Sequence, residues 1–296
     1  MAALIFAACA LMTAEEALVS GPVELLSDSS TFTEGPLWLP EGRWIFSDVQ
    51  DDTIYYGDGS VYRKPSNHAN GLALDAQGRL VACEVGRLTR TETDGTRTVL
   101  AERYDGKPLN TPNDLAIRSD GTIFFTDPKP LRSGGPSALG YSGVYALPSS
   151  GGELRLIADD FKYPNGIALS PDEKVLYISD TTAGHIRAFD LAADGSLSKG
   201  RVHSEVRIPD GIAVDADGRI WSSSSRGIAI FGVDGTPVGR VDFRGMPTNC
   251  AFGGRDGRTL LITARKRVYT VDCTRPGLPA GRNSLVETIH RPKYRE

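Results

Sequence analysis

The sequence predicts an all-β fold, a six-bladed β-propeller around a central channel, on three observations. A unit of polar turn, apolar strand, tight turn and second apolar strand recurs six times, anchored at Glu34, Asn70, Asn113, Asn165, Asp210 and Asn249. Successive anchors lie 36 to 52 residues apart, the period of propeller blades. No segment sustains the apolar period of an amphipathic helix. The stretch from Tyr163 to Asp180 shows the unit most fully, and those from Asn70, Asn113 and Asp210 follow it closely. The copies from Glu34 and Asn249 are looser.

At the N-terminus, Met1 to Met12 is apolar, too short to span a bilayer, and has no Lys or Arg before it. Residues 1–21 are therefore taken as an extension outside the fold and 22–290 as one propeller domain. A cytoplasmic location is expected, with periplasmic or exported as the alternative. Val23–Leu26 reads as a short strand able to complete the last blade, which shows only three clear strands of its own. Ser284–Ile289 competes for that place. Closure by the chain ends removes exposed sheet edges.

In blade one, Gly35–Leu39 and Arg43–Asp48 precede two outer strands, Thr53–Tyr56 and Ser60–Arg63, separated by the hairpin signal Asp58-Gly59. Blade two repeats the order with Arg87–Arg90 and Thr96–Leu100. Blade three carries the longest insertion, 128–142, rich in Gly, Pro and Ser, which makes it a candidate lid or substrate wall.

Composition narrows the function. The 296 residues fit one large all-β domain, and no linker or charge block interrupts the repeat. The 33 basic and 37 acidic residues are interspersed and give a net charge of -4. That balance argues against nucleic acid as a partner and sits more easily with catalysis on a small molecule. Cys9, Cys83, Cys250 and Cys273 show no metal-ligand spacing, and a domain this size needs no disulfide framework. There is no Gly-x-Ser-x-Gly elbow, no His-Glu-x-x-His helix, no P-loop and no dinucleotide fingerprint. Of the four histidines only His68 lies near an anchor, and it reads first as a solvated side chain.

What remains is the ring of anchors. In a propeller the innermost strands line the channel, so six oxygen-bearing side chains converge at its mouth. Such groups are costly to bury unless something satisfies them. Asn-Gly and Asp-Gly are also turn formers that favour positive φ, which accounts for each copy singly. It accounts less well for Glu34, a poor turn former. Glu34 and Asp210, with the side-chain carbonyls of Asn113 and Asn165, make a hard, all-oxygen set suited to Ca²⁺, Mg²⁺ or Mn²⁺. Two carboxylates balance a divalent cation and leave positions for water. A carboxylate at its edge is a candidate general base.

Four motifs then occur in order: Thr33-Glu-Gly-Pro-Leu-Trp38; Leu109-Asn-Thr-Pro-Asn-Asp114 with Phe124-Phe-Thr-Asp-Pro128; Tyr163-Pro-Asn-Gly166; and Ile208-Pro-Asp-Gly211. Together they resemble the senescence-marker-protein/gluconolactonase (regucalcin-like) family over roughly Val23 to Asp272. Asn70-Gly and Ala82-Cys-Glu84 bring the bacterial gluconolactonase branch nearest. The resemblance implies a metal-dependent hydrolase that opens a sugar lactone to the aldonic acid. One divalent ion is implied, Ca²⁺ first, with Mg²⁺, Mn²⁺ or Zn²⁺ as alternatives. By motif, Glu34, Asn165 and Asp210 match the metal ligands, and Asp210 matches the general base. Asn113 matches a metal- or substrate-contacting asparagine, and Asn70 is placed with it toward substrate. Animal members carry an arginine where this chain has Thr111, so sugar recognition must differ. Asn110, Glu84 and Arg132 are the candidates for it.

Blander readings stand beside these. Asp48, Asp127 and Asp180 end second strands and read as turn or supporting groups. Trp38, Trp44 and Trp221 read as packing between blades, and Ser222–Ser225 as strand and turn. A broader esterase or phosphotriesterase on the same scaffold is a second enzymatic reading. A non-catalytic propeller that binds a ligand on its top face is the competing one.

Overall fold

A computed structural model describes residues 17–130, 136–149 and 151–278, and every regular element among them is a β-strand. Alternating apolar residues in short runs between Gly- and Asp-rich turns give six four-stranded antiparallel sheets, arranged as a six-bladed β-propeller. From the axis outward, blade one is Thr33–Leu39, Arg43–Asp48, Thr53–Tyr56 and Val61–Arg63. Blades two to five begin with the inner strands Leu72–Leu74, Leu115–Ile117, Pro164–Leu169 and Ile212–Val214. Blade six is Asn249–Gly253, Thr259–Ala264 and Arg267–Asp272, completed on the outside by Glu24–Ser27. The N-terminal strand thus closes the ring, while Ser284–Ile289 lies outside the described residues. A small hairpin, Arg103–Tyr104 with Lys107–Pro108, stands between blades two and three.

The expected boundary at residue 22 is too late. Val19 bridges Cys273, the Ser20 amide donates to the Asp272 carbonyl at 2.8 Å, and Leu18 packs on the core between blades five and six. The chain from Leu18 onward therefore belongs to the fold.

The apolar interior is divided into six clusters, one in each gap between neighbouring blades. Trp221 meets Phe252 edge-on between blades five and six, at 5.3 Å. Trp44 packs with Phe46, Leu261 and Val268 where blade six meets blade one, with Trp38 against it. The tryptophans are inter-blade packing, as the sequence suggests.

The blades also bond to one another near the axis. Ser47, Thr126 and Ser179, on second strands, donate their hydroxyls to the anchor carbonyls of the next blade: Asn70 at 2.8 Å, Asn165 at 2.7 Å and Asp210 at 2.6 Å. This fixes the backbone of these three anchors whatever their side chains do.

The glycines that follow the anchors serve the same approach. Gly166 and Gly211 do not have positive φ. A Cβ on Gly166 would lie 2.4 Å from the Asp210 carbonyl oxygen, and one on Gly211 would lie 1.9 Å from Asn249 Oδ1. The Asn-Gly and Asp-Gly repeats therefore mark inner strands in contact around the axis, not left-handed turns.

At the far end of the inner strands, the chain after blade six lies against blade five. The Ala216 amide donates to the Pro276 carbonyl and the Leu278 amide to the Val214 carbonyl, both at 2.9 Å. The anchors sit at the opposite end, where the inner strands begin.

Candidate active site

Each anchor stands at or next to the start of an inner strand, and in blades one and four that start is irregular. The register shifts between Glu34 and Leu37 and between Pro164 and Ile167. Such bulges turn a side chain out of the normal pleat, here toward the axis. Glu34 is buried, and its Oε2 has no hydrogen-bond partner among the described residues. Asn165 Nδ2 donates to Thr181 Oγ1 at 3.0 Å, and Thr181 in turn donates to the Pro209 carbonyl. The same amide hydrogen-bonds Asp210, which leaves Asn165 Oδ1 for another partner. Asp210 is positioned through its backbone, its amide donating to Ser223 Oγ at 3.0 Å.

The electrostatics show how closely these side chains approach. Burial pushes the Glu34 carboxyl well above the usual carboxylate range, and the charges of Asp210 and Asp114 push it further. Hydrogen bonds from Asn249 and the Gly35 amide act the other way. Asp210 is raised by burial and then by Asp114. Burial raises Asp114 to about 7, against hydrogen bonds from the Leu115 amide, Asn249 and the Ile167 amide. Three carboxyls from blades one, three and five thus share one buried space, and no arginine or lysine among the described residues offsets their charge. Such a cluster is stabilised in its charged form by a cation.

The residues present fit a divalent ion. The orphaned oxygens are hard donors: Glu34 Oε2 and, in blade two, the buried Asn70 Oδ1, which also has no partner among the described residues. Asn113 starts blade three at the equivalent place and is buried to the same degree as its neighbours. Among the described residues no three His, Cys, Asp or Glu side chains come together closely enough to hold a metal ion by themselves. The candidate set is instead mixed carboxylate and amide oxygen, which suits Ca²⁺ or Mg²⁺.

Glu84 and Asn110 are occupied elsewhere. Glu84 ends the second strand of blade two, one strand out from the axis. Its oxygens accept from Arg63 Nη2 at 3.1 Å, Arg87 Nε at 2.9 Å and Thr89 Oγ1 at 2.7 Å, and its side chain is fully buried. It ties blade one to blade two. Replacing it with glutamine is expected to lower unfolding stability by about 3–5 kcal/mol, since the arginines would lose a buried partner. Urea unfolding reads that loss, and an unchanged KM separates it from a role in substrate binding.

Asn110 is a pin for the blade-three insertion. Its Nδ2 donates to the Asp127 and Tyr141 carbonyls, both at 3.1 Å, and its Oδ1 accepts from Ser137. Thr111 Oγ1 donates to the Pro128 carbonyl at 3.1 Å, so it too holds that loop. Arg132 lies outside the described residues. Asp48, Asp127 and Asp180 accept from loop amides, those of Phe32, Asn110 and Tyr163 among them, as turn-fixing groups do. His68 is exposed, its ring against the Val49 carbonyl. Cys83, Cys250 and Cys273 are buried free thiols.

Two site residues escaped the sequence reading. Asp114 occupies the place that glycine holds in four other blades, and that exception was the visible signal. Tyr163, two residues before Asn165, has its phenol pushed up to about 12 by burial and then by the charges of Asp210 and Glu34. Nothing in its motif marks it.

Comparison with known proteins bears on this site. Residues 32–266 match the profile described as SMP-30/Gluconolactonase/LRE-like region. The chain is 32% identical to a gluconolactonase of Zymomonas mobilis, over 86% of this chain and 82% of that one. It is 26% identical to the pentonolactonase XacC of Haloferax volcanii, over 81% and 83%. Among solved structures, a gluconolactonase of Xanthomonas campestris superposes with a TM-score of 0.78 at 34% identity, covering 90% of this chain and 100% of that one.

Proposed function

Because the chain belongs to the SMP-30/gluconolactonase/LRE-like family, we propose that it is a lactonase opening a sugar lactone to its aldonic acid at the axial carboxylate ring, with one divalent ion held there. The observation that carries this reading is the buried, unpartnered Glu34 Oε2 among carboxyls raised by one another's charge. Glu34, Asn165 Oδ1 and Asp210 would hold the ion, Ca²⁺ first on the chemistry of the donors. When bound, a divalent cation supplies Lewis-acid polarisation of the lactone carbonyl and charge stabilisation as the ring opens.

The chain's own residues supply the rest. Asp210 takes a proton from the attacking water and returns it to the leaving ring oxygen, so one water is consumed and one ester bond broken. Its backbone bonds to Ser223, Ser179 and Gly166 keep it fixed through that cycle. Asn113 and Asn70, whose side chains carry both donors and acceptors, bind sugar hydroxyls. Tyr163 keeps a neutral phenol within the field of Asp210 and Glu34. The small-molecule substrate enters from the anchor end, where the polar side chains gather, whereas the chain around Leu278 lies against blade five at the other end.

The test is proton release from glucono-1,5-lactone, with spontaneous opening subtracted, before and after chelation. Activity should disappear with chelator and return with Ca²⁺ or another divalent ion. Metal binding without activity would move the substrate to another ester. Neither metal nor activity would support the non-catalytic binding module.

A further inference from the structure

Blades three and six face each other across the axis. Asn249 Nδ2 of blade six donates to Asp114 Oδ2 of blade three at 3.3 Å, with both residues buried. Among the described residues this hydrogen bond joins opposite blades, whereas the other bonds near the axis run between neighbours. Both partners are oriented from their own backbone. The Cys250 amide donates to Asn249 Oδ1 at 2.8 Å, which fixes the amide so that its NH₂ group points across the channel. The Leu115 amide donates to Asp114 Oδ1 at 2.9 Å.

The pair also lies directly on the glycines beside the ring. A Cβ on Gly71, next to Asn70, would fall 2.5 Å from Asp114 Oδ1. One on Gly211, next to Asp210, would fall 2.0 Å from Asn249 Cγ. Asp114 itself adjoins Asn113, and Asn249 reaches Glu34. The pair lines one end of a cavity of about 80 Å³, with Leu72, Ile117, Leu169, Val214 and Leu278 also in its wall. The pair is therefore the floor of the polar mouth; Asn249 is itself an anchor, and the pair meets four of the other five anchors or their neighbours.

We propose that Asp114 and Asn249 form a cross-channel strut that sets the bore of the anchor ring and aims Glu34, so that both are positioning residues for the divalent ion and neither is its ligand. This rests on the metal-dependent reading above. Partners of this kind around a metal site change affinity by about 10- to 100-fold when removed. A strut also predicts coupling: once one end is gone, removing the other should cost little more.

The experiment is calorimetric titration of metal-free protein with Ca²⁺ in wild type, Asn249→Ser, Asp114→Gly and the double variant. Serine is too short to cross the channel. Glycine at 114 is what four other blades carry there, so that variant retains a backbone the fold already uses. Each single variant should bind Ca²⁺ about 10- to 100-fold more weakly, and the double variant should match the weaker single one. At saturating Ca²⁺ lactone turnover should recover toward the wild-type kcat, which a merely structural defect would not allow. Unchanged affinity in Asn249→Ser, or fully additive losses in the double variant, would overturn the strut. If Asn249→Ser fails to fold, Asp114→Gly alone decides, and unchanged affinity there overturns it equally. Absence of Ca²⁺ binding to wild type would instead count against the metal-dependent reading itself.

Discussion

Asp210→Asn is expected to lower kcat/KM for lactone hydrolysis by about 10²- to 10⁴-fold, the range that a positioned general base contributes. The substitution keeps the shape of the side chain and removes its ability to accept a proton. The residue's place does not depend on that carboxylate. Its amide donates to Ser223 Oγ, and its carbonyl accepts from Ser179 Oγ at 2.6 Å and from the Gly166 amide at 3.1 Å. The variant should therefore fold as wild type does, and its circular dichroism and melting temperature should show it. A folded variant with wild-type turnover would remove Asp210 from the chemistry.

The second large effect concerns stability. Asp114, Asp210 and Glu34 all have pKa values raised in the folded protein, first by burial and, for Glu34 and Asp210, then by neighbouring carboxylates. A raised folded pKa means that the folded state holds more protons than the unfolded one between the ordinary carboxylate range and the raised value. Stability from these groups is thus greatest at low pH and falls as pH rises from about 4 toward 8. Metal-free protein should accordingly melt at a lower temperature at pH 8 than at pH 5. A divalent ion in the ring favours the ionised forms, so the gain on adding Ca²⁺ should be larger at pH 8. At a thousandfold excess over Kd that gain is about 4 kcal/mol. Melting curves at the two pH values, with chelator and with Ca²⁺, read both trends. A chelated protein whose stability rises over this interval would contradict the carboxylate cluster.

The propeller was legible because its unit repeats, and each copy reinforced the others. The N-terminal strand in blade six was legible for the same reason, since three strands were left wanting a fourth. The reason for the Asn-Gly and Asp-Gly dipeptides was not. Gly166 and Gly211 lack positive φ, and what requires them is the approach of the next blade, which no local pattern records. Glu84 stands where other blades carry Asp48, Asp127 and Asp180, which read as turn or supporting groups, and its departure from aspartate made it a candidate for sugar recognition. Its partners Arg63 and Arg87 come from a neighbouring blade and an outer strand, and a period-two alternation does not show such pairing. Asp114 could have been found, since it breaks a glycine position held in four blades. Its bond to Asn249 spans 135 residues and needed the closed ring to appear.

The most direct test of the central claim is a titration of metal-free protein with Ca²⁺ while lactone hydrolysis is followed. One ion held by Glu34, Asn165 and Asp210 predicts activity that rises linearly and breaks at a single equivalent per chain, with no such rise in Glu34→Gln. Full activity in the chelated protein, or an unchanged titration in Glu34→Gln, would contradict it.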